Sequence, residues 1–101
     1  MKYQFVIRPI ARRNLAAIER WYDERSEGLS DKFRVAFEET LERINRQPFR
    51  APIIHKQTRR IEMHVYPYAV LYFVDQSDIF ILRVLHTKRN PKRFMVDPNG
   101  K

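Results

Sequence analysis

The feature that most constrains this chain is a change in the spacing of its apolar residues. From Pro9 to residue 46 they recur at helical intervals, and after about residue 60 they alternate. From Pro9 to about Glu27, Ala11, Leu15, Ile18 and Tyr22 fall on one stripe, with Ala17 and Trp21 beside it. Arg12, Arg13, Glu19 and Arg20 occupy the opposite side, so the segment reads as an amphipathic helix opened by Pro9 and broken by Gly28. Ser30 stands as the expected N-cap of a second helix, with Asp31 at its positive end. Phe33, Phe37, Leu41 and Ile44 carry its apolar stripe to about Arg46, and Pro48 closes it. So short a connection predicts two antiparallel helices lying side by side.

Strand patterns flank this helical block. In KYQFVIR, Tyr3, Phe5 and Ile7 share one face, and Pro9 ends the run. RRIEMHVY alternates, with Ile61, Met63 and Val65 opposed to Arg60, Glu62, His64 and Tyr66, before Pro67 marks a turn or bulge. YAVLYFV follows, then DQSD as a four-residue turn, then IFILRVLH, which is apolar on both faces and so predicts a central strand. Residues 49–58 read as a loop or a short edge strand, and Pro91 ends regular pairing. The expected fold is α+β, in the order β-α-α-β-β-β. Two antiparallel N-terminal helices pack on one face of a small, mainly antiparallel sheet. A single domain over residues 1–96 is expected, with 97–101 (DPNGK) as a flexible tail.

The chain carries 20 Lys and Arg against 12 Asp and Glu, a net charge of +8, which points to an anionic partner. The excess is uneven. Residues 1–49 hold 10 basic and 8 acidic groups, whereas residues 50–101 hold 10 and 4. The densest stretch is LHTKRNPKRF, where His86, Lys88, Arg89, Lys92 and Arg93 follow directly on the last apolar strand. With no cysteine there is no disulfide, thiolate metal site or cysteine nucleophile. His55 and His64 lack the spacing and partners of a metal site, and no metal or other cofactor is expected. The N-terminus does not read as a signal peptide, and no run is long and apolar enough to span a membrane, so a cytoplasmic protein is expected.

Five stretches in order resemble the RelE/ParE superfamily, the toxin halves of bacterial type II toxin–antitoxin (plasmid-stabilisation) modules. They are FVIRPIARRNL, IERWYDERS, FRVAFEETLERINRQP, RRIEMHVYPYAVLYFV and ILRVLHTKRNPKRF, which together cover roughly residues 3–95. The resemblance implies a cognate acidic antitoxin, for which the +8 charge gives a physical reason. It also implies one of two activities. RelE-like members cut messenger RNA on the ribosome, and ParE-like members inhibit DNA gyrase.

Metal-free RNA cleavage needs groups that move the 2′-hydroxyl proton, stabilise charge on phosphorus and protonate the leaving oxygen. The RelE-like set resembles an Arg just after the Tyr that begins the third strand, basic residues closing the last strand, and a C-terminal Tyr. Here Ala69 follows Tyr68 and Phe94 takes the Tyr position, while Lys88 and Arg89 match the basic positions. Two lost roles at about a hundredfold each, or about 2.7 kcal/mol apiece, favour the ParE-like branch and gyrase inhibition without catalysis.

The alternative is a ribosome-dependent ribonuclease built on Arg60, His86, Lys88 and Arg89, with His64 near Arg60 on the same strand face. A second alternative is a non-toxic nucleic-acid-binding module. His86 is either a general base or a strand-end ring packed on Tyr68 or bonded to backbone, and Arg60 either binds a target or pairs with a helix carboxylate such as Glu19 or Glu42. Lys88, Arg89, Lys92, Arg93 and Phe94 form the expected target surface, with Phe94 and Met95 anchoring the charges. The inter-helix groove near Trp21, Tyr22 and Phe37, or an exposed sheet edge, forms the expected antitoxin site. Neither a membrane nor a small-molecule substrate is expected.

Overall fold

The computed structural model describes residues 3–88. Strand β1 (Gln4–Ile7) leads into helix α1 (Pro9–Arg25), and helix α2 (Leu29–Arg46) follows. Four strands complete the chain: β2 (Ile53–His55), β3 (Thr58–Glu62), β4 (Tyr68–Asp75) and β5 (Asp78–His86). The sheet order is β1-β5-β4-β3-β2. β1 lies parallel to β5, and every other neighbouring pair is antiparallel. The fold is thus the expected α+β arrangement, with β5 internal. Residues 53–55 resolve the ambiguity of segment 49–58 as an edge strand.

The apolar stripes of both helices meet one face of the sheet. Ala11 and Ile18 of α1 and Phe33, Phe37 and Ile44 of α2 form one core with Val70, Tyr72, Ile79, Ile81 and Val84. Phe33, fully buried, sits against Tyr22, Tyr66 and Tyr68, with ring centroids 5.4–5.8 Å apart. Such aromatic packing concentrates much of the burial energy of a small domain in a few side chains. A second apolar cluster combines the alternate β4 positions Ala69, Leu71 and Phe73 with Leu82 and Leu85 of β5. It therefore marks the sheet face turned away from the helices.

Three local expectations are corrected. Ser30 is not the N-cap of α2: Gly28 holds that position in the left-handed region (φ 87°), and Ser30 is already helical. The capping role passes to Asp23 of α1, whose carboxylate accepts the Ser30 N–H at 3.0 Å and the Ser30 hydroxyl at 2.8 Å. The strand expected through Tyr66 stops at Glu62, because the chain turns between Met63 and Tyr68. There the Met63 N–H donates to the Tyr68 carbonyl, and Val65 adopts φ 74° with 96% of its surface exposed, so Val65 and His64 do not continue the strand's faces. The expected DQSD turn is present: Asp75 and Asp78 pair across the hairpin, with Gln76 and Ser77 at its tip. Arg60 pairs with neither Glu19 nor Glu42. Its Nη2 lies 3.3 Å from Glu62 on its own strand, and Glu19 is held by Arg34 at 3.2 Å.

Candidate functional site

The register of the sheet decides which candidate residues can act together. Directly opposed residues in an antiparallel pair share a face. His86 opposes Tyr68, and Tyr68 packs on Phe33, so His86 faces the helices. Arg60 opposes Leu71, which belongs to the cluster on the other face. The sheet thus separates Arg60 from His86, and the two do not converge on one phosphate. His86 itself is half-buried. Its ring meets Tyr68 edge to face at 5.3 Å, and its Nδ1 accepts the Lys88 N–H at 3.2 Å. His64 stands outside β3 with its Nδ1 3.5 Å from a Glu39 carboxylate oxygen.

Ala69 is fully buried between Glu62 on β3 and Leu85 on β5. The place where the resemblance implies a cationic side chain therefore holds a methyl group inside an apolar cluster. The nearest charged position across the strand is a carboxylate. A carboxylate opposes the build-up of negative charge on a reacting phosphate and cannot replace a guanidinium. Among the described residues no three His, Asp or Glu side chains gather as a metal site.

Of the expected target surface, Lys88 is exposed just beyond β5. Arg89, Lys92, Arg93 and Phe94 lie outside the described residues. Of the expected antitoxin surface, Trp21 is 47% exposed, with the Arg25 guanidinium 3.5 Å over its ring. Tyr22 is half-buried against it at 5.0 Å, and burial raises the pKa of its phenol. Phe37 is different: only 5% exposed, it belongs to the core and offers a partner little surface. Its helical spacing marked the stripe correctly but did not reveal its depth.

Two features escaped the sequence reading. Arg83 opposes Leu71 from the β5 side, so Arg60 and Arg83 flank Leu71 on the face away from the helices. The Arg83 Nε is buried without an acceptor. A bulge at Leu71/Tyr72 makes this possible by turning Leu82 and Arg83 to the same side, which simple alternation cannot anticipate. The other feature is a group of arginines from α2, the following loop and β3, brought together only by the packing of the helix on the sheet.

A sequence model of the family described as the ParE toxin of the type II toxin–antitoxin system parDE matches residues 5–91, nearly the whole chain. The chain belongs to the ParE toxin family. The same fold occurs in a solved structure described as a chromosomal ParDE toxin–antitoxin system from P. aeruginosa, with a TM-score of 0.75. Identity to that chain is 16%, and the superposition covers 86% of this chain and 98% of the other. No curated protein sequence matches. The residues that separate this chain from the RelE-like pattern include Ala69, which is built into the sheet and does not sit on an adaptable surface.

Proposed function

We propose that this ParE-family toxin arrests growth by inhibiting DNA gyrase through protein contacts, and that a cognate acidic antitoxin holds it inactive. The observation that carries the reading is Ala69, fully buried and opposed by Glu62, where an RNA-cleaving relative would place a cation. The separation of Arg60 and His86 on opposite sheet faces supports it, since these two do not act together on one phosphate. The +8 charge favours an acidic antitoxin both in rate of encounter and in choice of partner.

The test is a titration of purified chain into a gyrase reaction on relaxed plasmid, beside a translation reaction with ribosomes and a reporter mRNA. Loss of supercoiling, or trapped cleaved DNA, with intact mRNA is the expected result. Normal supercoiling with cut mRNA overturns the reading in favour of a ribosome-dependent ribonuclease.

A further inference from the structure

Strand β2 covers only part of the edge of β3. It pairs at Ile53–Arg59 and His55–Thr58, and the Pro52 carbonyl accepts the Arg60 N–H at 3.1 Å. Further along β3, the Met63 N–H bonds across to β4. Because antiparallel strands alternate in direction, the Glu62 N–H and C=O point the other way, off the sheet. The Glu62 carbonyl accepts the Arg43 Nη1 at 3.0 Å, and among the described residues no strand lies along this part of the edge.

Facing that edge are the last turn of α2 and the loop after it. Between them is an open cleft of about 770 Å³ lined by Arg43, Arg46, Arg50, Arg60 and His64 together with Glu62. Arg60 is engaged by Glu62, and Arg50 Nη1 donates to the neutral Gln47 side chain at 2.9 Å. Arg46 is exposed and has no partner among the described residues. Arg43 and Arg46 also suit the negative end of the α2 dipole, but that role needs only the last turn of the helix and does not extend to Arg50.

Two kinds of polyanion fit a cationic cleft, and its walls distinguish them. Sequence-independent binding of single-stranded nucleic acid draws on aromatic platforms for the bases, and no Phe, Tyr or Trp lines this cleft. A peptide instead uses what is present. Its main chain can accept the Glu62 N–H on the edge beyond β2, and its carboxylates can meet guanidinium forks two bonds at a time.

We infer that the cleft between the α2 C-terminus and the edge of β3 beyond β2 docks an extended acidic segment of a protein partner. Acidic residues at every second position face Arg46 and Arg50, and the main chain runs along Glu62 in continuation of β2. Naming that partner as the antitoxin rests on the toxin–antitoxin reading; the chemistry of the docked segment does not.

The test is fluorescence anisotropy of a labelled ten-residue peptide of alternating Glu and Thr, titrated with the full chain. Arg46→Glu/Arg50→Glu is expected to weaken binding by about tenfold or more, because two attractions become repulsions. Arg46→Lys/Arg50→Lys retains most of it, and the Glu62 amide resonance shifts when peptide is added. Circular dichroism of both variants checks that these exposed substitutions leave the fold intact. The inference is overturned if the peptide does not bind, if charge reversal leaves its affinity unchanged, or if a ten-nucleotide RNA binds the cleft more tightly than the peptide with the same sensitivity to reversal. A chain that inhibits gyrase but ignores the peptide refutes this inference alone. A chain that binds the peptide but leaves gyrase untouched refutes the gyrase reading alone.

Discussion

The carboxylate of Asp23, near the end of α1, accepts both the backbone N–H and the hydroxyl of Ser30 in the first turn of α2. One side chain thus closes the helical hairpin and satisfies a donor that the start of a helix leaves unpaired. These bonds, led by the Ser30 backbone N–H, hold the Asp23 pKa below its ordinary value. A carboxyl with a depressed folded-state pKa contributes stability that is present above the unfolded value, near 4, and is lost as pH falls through the folded value. Asp23→Ala is therefore expected to lower the melting temperature at pH 7 by more than it does at pH 3. Thermal melts of the two proteins across that range check it.

At Val65 a β-branched residue is held at φ 74° with almost all its surface in water. The left-handed conformation disfavours a Cβ, and no packing offsets the cost here. Val65→Gly is expected to stabilise the protein by about 1 kcal/mol, less the entropy that glycine adds to the unfolded chain. Urea unfolding, with the transition midpoint moving and the slope constant, is the measurement.

Tyr72 is fully buried, and its hydroxyl donates to the Pro48 carbonyl at 2.9 Å, tying the loop after α2 to the sheet. Tyr72→Phe leaves that carbonyl without its donor and is expected to cost about 1–2 kcal/mol. Burial also raises the Tyr72 pKa above 10.0, with Arg59 acting weakly the other way. The unfolded phenol ionises first, so this contribution is present below pH 10 and declines as pH rises beyond it. Tyr72→Phe should flatten that alkaline decline; the slope due to Tyr22, whose pKa is also raised, remains.

Ala69→Arg restores the side chain that the RelE-like pattern implies, but in a site with no room for it. Overfilling the cluster is expected to cost about 2 kcal/mol or more. The new guanidinium meets Glu62 across the strand pair and so is not free for a phosphate. The variant should melt lower and still leave mRNA intact on ribosomes. Cleavage at enzyme-like rates by a folded Ala69→Arg protein would show that one residue separates the two activities.

The periodicity of this sequence determined its helices, most of its strands, its fold class and the resemblance that family membership bears out. Those properties are local: a stripe of Ala11, Leu15 and Ile18, or the run from Tyr68 to Val74, is decided by residues a few positions apart. Near neighbours also hold the signal for Ala69, since its place directly after Tyr68 suffices to show the missing cation.

What only the tertiary structure decided depends on register and on which elements become neighbours. Arg60 and His86 read as a possible pair until the order β5-β4-β3 set them on opposite faces. Phe37 and Trp21 both read as lining one groove between the helices, yet Phe37 is sealed beneath α2 and Trp21 is 47% exposed. Arg43, Arg46, Arg50 and Arg60 come from a helix, a loop and a strand, and line one cleft only because α2 ends beside the uncovered edge of β3. Charge density along the chain pointed to residues 86–93. Distance in space, through which charges act on one another, gathered a second basic cluster that no spacing in the sequence reveals.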